Sequence, residues 1–207
     1  MLAARGNWLQ TEKLEVSSGF LFLLAWLNFT DGQGLLEPTI IAASAHELGH
    51  WAVAKLLNGN PVCIRLSVVG AEMILQAQLS YFNDILCSLA GPGMNLMLAF
   101  LSGRINHFDA SVFAAVNLLL GVFNLLPVCQ LDGGRVLTDI LFWLLGPDRG
   151  VWVKEMVDLA IIGVCLLLGF LFLCVGGNST LLVVALWLAG GKKKVTFKRV
   201  VKGQRNR

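Results

Sequence analysis

Two long uncharged stretches set the strongest limit on how this chain can fold. Residues 110–131 contain no charged side chain, and neither do residues 159–176. A helix needs about 20 predominantly apolar residues to cross a bilayer, so such stretches are typical of membrane spans. Of the 207 residues, 56% are hydrophobic and only 14% are charged, whereas soluble domains are about 25% charged. The sequence therefore predicts a polytopic membrane protein.

The apolar pattern predicts an all-α membrane bundle of about six transmembrane helices. Pro127 is expected to break the fourth of them near its end, because proline removes a backbone hydrogen bond. Residues 136–145 are apolar but too short to cross. Residues 62–80 combine alternating apolar positions with a glycine, which favours a short membrane-associated β-hairpin between helices two and three. The predicted spans are residues 16–36, 38–58, 81–103, 110–131, 159–176 and 179–190.

The basic residues predict the orientation of the chain. Residues 192–207 hold eight of the sixteen Lys and Arg residues, and cytoplasmic segments are enriched in these residues. With six spans, both termini then lie in the cytoplasm, and only Arg104 falls on the opposite side. We predict a cytoplasmic N-terminal segment (1–15), a membrane domain (16–190) and a basic tail (191–207). The tail is expected to orient the chain and lie against anionic lipid, not to bind nucleic acid.

The second predicted span contains the sequence HELGH, residues 46–50. On a helix, His46 and His50 share one face, so both imidazoles can bind a single metal, and Glu47 can reach a water on that metal. Zinc lowers the pKa of coordinated water to about 7, and a glutamate can then act as general base. Each ionisable group at the bilayer centre costs about 2.5–3.5 kcal/mol. Three such groups within five residues indicate a metal that compensates this cost.

Catalytic zinc usually has three protein ligands, so a third is expected beyond the two histidines. The sequence FNLLPVCQLDGGR, residues 123–135, breaks a span and carries an acidic residue, which is tolerated at membrane depth where the backbone lines a site. Asp132 is the predicted third ligand, and Cys129 is the rival because a thiolate also binds zinc. The alternative role for Asp132 is to cap the helix that follows. His107 lies in a predicted external loop.

Three further polar residues lie near these motifs. In LAGPGMN, residues 89–95, Asn95 accompanies a helix-disturbing proline, and either helix packing or a contribution to substrate positioning would explain it. Asn124 precedes the break in the fourth span and could form a hydrogen bond with a substrate backbone or with the Asp132 loop. Glu72 in the predicted hairpin could contact substrate or face water.

HELGH, LAGPGMN and NLLPVCQLDGG, in this order in a membrane chain, resemble the motifs of the site-2 protease family of intramembrane zinc metalloproteases. The resemblance covers nearly all of residues 16–190. It implies that His46, His50 and Asp132 bind one Zn²⁺ per chain, that Glu47 activates water and that Asn124 positions substrate. The implied reaction is hydrolysis of a peptide bond in or near a transmembrane segment of a membrane-tethered protein. An unwound substrate could add to the edge of the predicted hairpin.

The chain has no room for a PDZ domain or a CBS pair, so it is similar to the minimal branch of the family. That branch includes the sporulation factor-processing proteases of spore-forming bacteria. The similarity implies a bacterial plasma membrane, regulated intramembrane proteolysis of a pro-sigma factor or another regulatory precursor, and room for a regulatory membrane partner. Cys129 and Gln130 depart from the proline-rich sequence frequent among relatives at these positions.

Two other functions fit parts of the pattern. The first is a catalytically silent zinc-binding membrane protein that regulates a partner, although such a protein has no need of Glu47. The second is a transporter, which also has broken helices and buried charges, but the paired repeats typical of transporters are not visible.

Overall fold

The computed structural model describes residues 13–190 except 19–20, 22–23, 26–27, 30, 33, 60, 68–69, 76–78 and 178. The basic tail and most of the predicted N-terminal segment lie outside the described residues. Within the predicted first span, the described residues between 18 and 29 are helical. The labelled elements are predominantly helical. In chain order they are β1 (Lys13–Val16), α1 (Leu36–Leu56), β2 (Pro61–Ser67), β3 (Gly70–Leu75), α2 (Tyr81–Ser102), α3 (Phe108–Asn124), α4 (Asp132–Cys174) and α5 (Thr180–Gly190).

A side chain fixes the start of α1, the helix that carries HELGH, and a backbone turn fixes its end. The Asp31 carboxylate accepts hydrogen bonds from the backbone N–H groups of Leu35 and Leu36, at 3.0 and 2.8 Å, and so satisfies donors that a helix start leaves unpaired. At the other end, Asn58 adopts a positive φ of 57°, and the N–H of Gly59 donates to the Ala54 carbonyl at 2.8 Å. This arrangement ends the helix where an Asn-Gly pair is expected to end it.

Helix α4 differs most from the sequence prediction. Instead of a short apolar segment and a separate fifth span, one 43-residue helical element runs from Asp132 to Cys174 and is interrupted at Gly146. The positive φ of 77° at Gly146 and the following Pro147 explain the kink, because glycine adopts that conformation at low cost and proline cannot donate to the preceding turn. Charged residues between 148 and 158 hid this helix from the apolar pattern. Lys154, which lies between the predicted spans 110–131 and 159–176, is therefore part of α4.

The predicted fourth span also ends early. Helix α3 stops at Asn124, and residues 125–131 form a non-helical turn around Pro127 before α4 begins. We call residues 125–131 the ligand turn, because the residue that follows it is Asp132. Its apolar side chains pack against the second half of α4 and against α5, and the buried members of this cluster are Val128, Leu131, Ile162 and Leu188. The turn is therefore held inside the bundle.

A small three-stranded sheet lies beside the helices, in the order β1-β2-β3. Strands β2 and β3 pair antiparallel, with Arg65 opposite Glu72, whereas β1 pairs parallel to β2, with Lys13 opposite Cys63. The antiparallel pair falls in the region predicted to be extended. Strand β1 was not predicted, because its four residues KLEV have too short a pattern to indicate a strand. The side chain of Glu72 lies outside the described part of the structure.

Among the described residues, two helices, α2 and α4, are long and apolar enough to cross a membrane, and α3 and α5 are shorter apolar helices. Large apolar side chains on these helices point outward, including Phe100, Leu119 and Trp143, which are 61%, 72% and 71% exposed. Contiguous exposed apolar surface is typical of proteins that contact lipid. The number of six spans stays a prediction.

Helix α2 packs against α1, α3 and α4, so it lies between the helices that carry the predicted ligands. Small residues bring the backbones together. A Cβ on Gly49 of α1 would lie 2.7 Å from the Ala90 carbonyl oxygen of α2, and one on Gly121 of α3 would lie 3.2 Å from Leu96. Close approach at small residues is common between membrane helices. It places HELGH directly against LAGPGMN.

Candidate metal centre

The structure brings together the three residues that the sequence singled out as metal ligands. The His46 Nε2 atom lies 3.0 Å from Asp132 Oδ2, and the His50 Nε2 atom lies 3.2 Å from the same oxygen. The two Nε2 atoms are 3.1 Å apart. All three side chains are buried. One turn of α1 and the first residue of α4 therefore form a three-atom cluster able to hold a metal ion.

Hydrogen bonds on the other ring nitrogens show which atoms of the cluster are free to bind. His46 Nδ1 donates to Asn95 Oδ1 at 2.6 Å, and His50 Nδ1 donates to the Cys87 carbonyl oxygen at 2.7 Å. A carbonyl oxygen can only accept, so both Nδ1 atoms carry hydrogen, and in a neutral imidazole Nε2 is then an acceptor. With both imidazoles neutral, two lone pairs and a carboxylate oxygen converge on one point. A bound cation would satisfy all three atoms.

The spacing of the three atoms also suits zinc. Zinc bonds to His nitrogen and carboxylate oxygen are 2.0–2.2 Å long, which places neighbouring ligand atoms about 3.3–3.5 Å apart in a tetrahedral site. The observed separations of 3.0, 3.1 and 3.2 Å are slightly shorter. Small outward movements of the side chains would accommodate the ion. The nitrogen and oxygen donors are of the type that zinc prefers.

Gly91 of α2 forms the floor of the cluster. A Cβ built on this residue would lie 2.7 Å from His46 Nε2 and closer still to His50 Nε2. Any side chain at this position would therefore occupy the space into which the lone pairs point. The absence of a side chain keeps that space open for an ion.

Asp132 is held so that its two carboxylate oxygens face different partners. Oδ2 faces the histidines, whereas Oδ1 lies 3.9 Å from the guanidinium of Arg135. Arg135 also contacts Asp84 on α2, at 3.5 Å. The helix N-cap position belongs to Leu131, and among the described residues no backbone N–H donates to the Asp132 carboxylate. The alternative role of Asp132 as a cap is therefore wrong.

Cys129, the rival ligand, is buried but does not belong to the cluster formed by His46, His50 and Asp132 among the described residues. Its backbone N–H donates to Asp158 instead, at 3.0 Å.

Glu47 lies at the edge of the cluster. Its side chain is half-buried, and its carboxyl group interacts electrostatically with His46, His50, Asp132 and Arg135. Among the residues that the structure describes, none forms a hydrogen bond with this carboxylate. Glu47 is thus a carboxylate beside the ligand atoms that is available to a water or a substrate.

The two asparagines singled out from the sequence have different surroundings. Asn95 is fully buried and donates to Ala42 O at 3.0 Å and Asn117 Oδ1 at 2.9 Å, while its own Oδ1 accepts from His46. It therefore orients His46, one of the predicted ligands, a role other than the substrate contact that the sequence left open. Asn124 is half-buried at the end of α3, and its Nδ2 donates to the Leu120 carbonyl at 3.0 Å.

Comparison with known proteins relates this fold and site to one family. A solved structure described as the site-2 protease from Methanocaldococcus jannaschii superposes with a TM-score of 0.67 at 23% identity, covering 93% of this chain and 94% of that one. A zinc metalloprotease of the same organism is 25% identical over 163 residues. A proposed zinc metalloprotease of Synechocystis is 30% identical over 138 residues. Residues 103–170 match peptidase family M50.

These comparisons support the site-2 protease family for this chain, and the likeness to the solved structure shows the fold. This confirms the resemblance inferred from the three motifs. The family match includes Asn124 and Asp132 but not HELGH, whose position at the cluster rests on the structure. The chain spans about half or less of the length of the curated relatives it matches: 47% of the M. jannaschii zinc metalloprotease and 36% of the Synechocystis protein.

Sequence reasoning missed three residues of the candidate site. Gly91 was visible only as one of two glycines flanking Pro92. Arg135 stands three residues after Asp132, a spacing that could have indicated contact along a helix. Asn117 is a polar residue within an uncharged span, a signal as clear as the one that drew attention to Asn124. What the sequence did not show is which helix each of them faces.

Replacing Asn95 with alanine is expected to weaken zinc binding by about 10–100-fold, the usual cost of losing a hydrogen bond that orients a metal ligand. The reason is that His46 Nδ1 loses its acceptor and the ring can rotate. Competition with a chelator measures the affinity. Asn106→Ala, an exposed asparagine beyond α2, is the control and should bind zinc as wild type does. Wild-type affinity in Asn95→Ala would contradict the orienting role.

Proposed function

We propose that this chain is an intramembrane zinc metalloprotease that hydrolyses a peptide bond in or near a transmembrane segment of a membrane-tethered protein. One observation carries the proposal: two buried histidine nitrogens and a carboxylate oxygen lie within 3.2 Å of one another, and an available carboxylate lies beside them. A buried cluster of this kind is costly in an apolar domain unless a metal compensates it. The names of the curated zinc metalloproteases among its relatives support the same reading.

His46, His50 and Asp132 would hold one Zn²⁺ through Nε2, Nε2 and Oδ2. Zinc in such a site supplies Lewis acidity, which polarises a carbonyl and makes water nucleophilic near neutral pH. Glu47 would accept a proton from the attacking water as the new C–O bond forms. It would then return that proton to the amine nitrogen as the C–N bond breaks. The products are a carboxylate and an amine, and Glu47 is again a deprotonated carboxylate.

The proposed substrate contact is Asn124. Its Nδ2 is occupied by the Leu120 carbonyl, whereas no described residue donates to its Oδ1, so this oxygen is available to a backbone N–H of an extended peptide. Such a peptide could also add to an edge of the three-stranded sheet, because edge strands present unpaired backbone groups. A helical peptide bond is shielded by its own hydrogen bonds, so the substrate has to be unwound at the site.

The proposed location is a bacterial plasma membrane, with both termini in the cytoplasm and the apolar surfaces of α2 and α4 in contact with lipid. The proposed substrates are membrane-bound regulatory precursors such as pro-sigma factors, and a membrane partner could control access to the site. The resemblance of the three motifs to those of the site-2 protease family supports a membrane-tethered substrate. The distribution of basic residues supports the orientation.

Zinc content together with cleavage of a panel of membrane-tethered precursors tests the proposal. Purified wild type is expected to contain about one zinc per chain. Asp132→Asn is expected to lower the zinc affinity by more than the roughly 10–100-fold loss caused by removing a supporting residue, because here a ligand itself is weakened. Asp109→Asn changes an exposed aspartate at the start of α3 and should bind and cleave as wild type does. Wild type that is folded but binds no zinc would overturn the proposal.

A further inference from the structure

The ligand turn presents a problem of backbone hydrogen bonding. Its residues lie between α3 and α4 inside an apolar bundle, where a carbonyl or N–H without a partner is expensive. The Pro127 carbonyl and the Cys129 N–H are two groups of this turn that find partners outside it. Both partners are charged side chains on the second half of α4.

These side chains are Lys154 and Asp158, which stand one helical turn apart and are only 4% and 5% exposed. Lys154 Nζ donates to Asp158 Oδ1 and also to the Pro127 carbonyl oxygen at 3.4 Å. Asp158 Oδ1 accepts the Cys129 N–H at 3.0 Å. The pair thus supplies a donor to the carbonyl and an acceptor to the N–H, and its two charges neutralise each other.

We propose that Lys154 and Asp158 are positioning residues that hold the ligand turn and thereby place Asp132 at the metal. A buried ion pair is weak evidence for stability, because apolar residues of similar volume are often as stabilising or more so. The contacts with the turn explain why charged residues stand here. Neither residue touches the histidine cluster, so neither is a catalytic residue. The inference rests on the proposed metal site.

The turn can transmit this positioning because it is tightly built. The Leu131 N–H donates to the Val128 carbonyl at 2.9 Å, and Asp132 is the next residue. Gly133 and Gly134 follow, and a Cβ on either would collide with the backbone carbonyl of Leu125 or Val128. The turn and the start of α4 are therefore packed backbone against backbone, so a shift of Cys129 moves Asp132.

A second polar contact holds the opposite side of the turn. Gln130 Nε2 donates to the Leu188 carbonyl of α5 at 2.5 Å. The turn is thus anchored to α4 through its backbone and to α5 through one side chain. The α4 contacts involve charge and the Gln130 contact does not, so the α4 contacts can be tested by removing the charges and the hydrogen bonds separately.

Two double variants make that separation. Lys154→Gln/Asp158→Asn removes both charges but keeps a donor for Pro127 and an acceptor for Cys129. Lys154→Met/Asp158→Leu removes the charges and both contacts. Both residues are replaced together because a single unpaired charge left buried would by itself unfold the region. Glu155→Leu, an exposed neighbour on α4, is the matched control. Thermal unfolding in detergent establishes that each variant is folded.

Two readouts are compared, and the first needs no metal. Hydrogen–deuterium exchange of residues 123–135 in the metal-free protein is expected to speed up in the Met/Leu variant and to stay near wild type in the Gln/Asn variant and in Glu155→Leu. The second readout is zinc affinity, which is expected to fall by about 10–100-fold in the Met/Leu variant, as for other supporting residues of metal sites. The Gln/Asn variant should retain most of the affinity.

A folded Met/Leu variant with wild-type exchange and wild-type zinc affinity would overturn the proposal. So would a Gln/Asn variant that loses as much as the Met/Leu variant, because the charges and not the turn contacts would then matter. If wild type itself binds no zinc, the proposed function fails. The exchange measurement would still decide whether the pair holds the turn.

Discussion

Glu47→Gln is expected to lower the rate of peptide cleavage by about 10²–10⁴-fold, the usual contribution of a positioned general base. Glutamine is nearly the same size as glutamate but cannot accept a proton at neutral pH. The ligand atoms belong to His46, His50 and Asp132, so the variant should keep its zinc. Cleavage of a membrane-tethered precursor and zinc content, measured on the same preparation, check both halves of this expectation.

The matched control is Glu37→Gln, which makes the same change in the first turn of the same helix, where the side chain is exposed. It should cleave as wild type does. Wild-type cleavage in Glu47→Gln would show that Glu47 is not the base. Loss of zinc together with cleavage would show instead that Glu47 supports the cluster. Retained zinc with abolished cleavage would separate a protease from a zinc-binding membrane protein without catalysis.

Gly91→Ala is expected to abolish zinc binding, and with it cleavage, although it adds a single methyl group. The added Cβ would stand 2.7 Å from His46 Nε2 and closer to His50 Nε2, so the histidines have to move away from the space that the ion would occupy. Alanine is favoured over glycine in a helix interior by about 1 kcal/mol. The variant should therefore lose its metal without losing helix stability.

Gly93→Ala is the control for this change, because it lies two residues along α2 and a Cβ there would meet nothing within 4 Å. It should bind zinc as wild type does. Zinc stoichiometry and the thermal unfolding midpoint of both variants distinguish a blocked site from a destabilised fold. Normal zinc binding in Gly91→Ala would mean that the histidines approach the ion from another direction.

The ligand residues could be predicted because each carries its signal within a few positions of the chain. His46 and His50 are spaced to share a helix face, and Asp132 follows a proline that ends a helix. For helices α1, α2, α3 and α5, the predicted ends lie within a few residues of the observed ends, except that α3 ends earlier than predicted. The reason is that their apolar runs end at Asn-Gly, Gly or Pro. The family could be named for the same reason, since its motifs are short and continuous.

What the sequence could not show depends on contacts between distant segments. Gly91 matters because α2 packs against α1 at that level, and nothing near residue 91 indicates which residues lie opposite. Lys154 and Asp158 interrupt an apolar pattern and so indicate a loop, whereas in the structure their charges neutralise each other inside a helix. The kink at Gly146 was missed for a related reason: charged residues on its C-terminal side concealed that the helix continues.

The ligand turn has a consequence for how the protein is made. During translation, residues 46 and 50 are synthesised early, Asp132 some eighty residues later, and Asp158 later still. A nascent chain that ends before residue 132 has two of the three ligand atoms, and one that ends before residue 158 has a turn without its acceptor for Cys129. The candidate metal centre can therefore be completed only after the second half of α4 has been synthesised, so a chain that is released early contains HELGH but not a finished site.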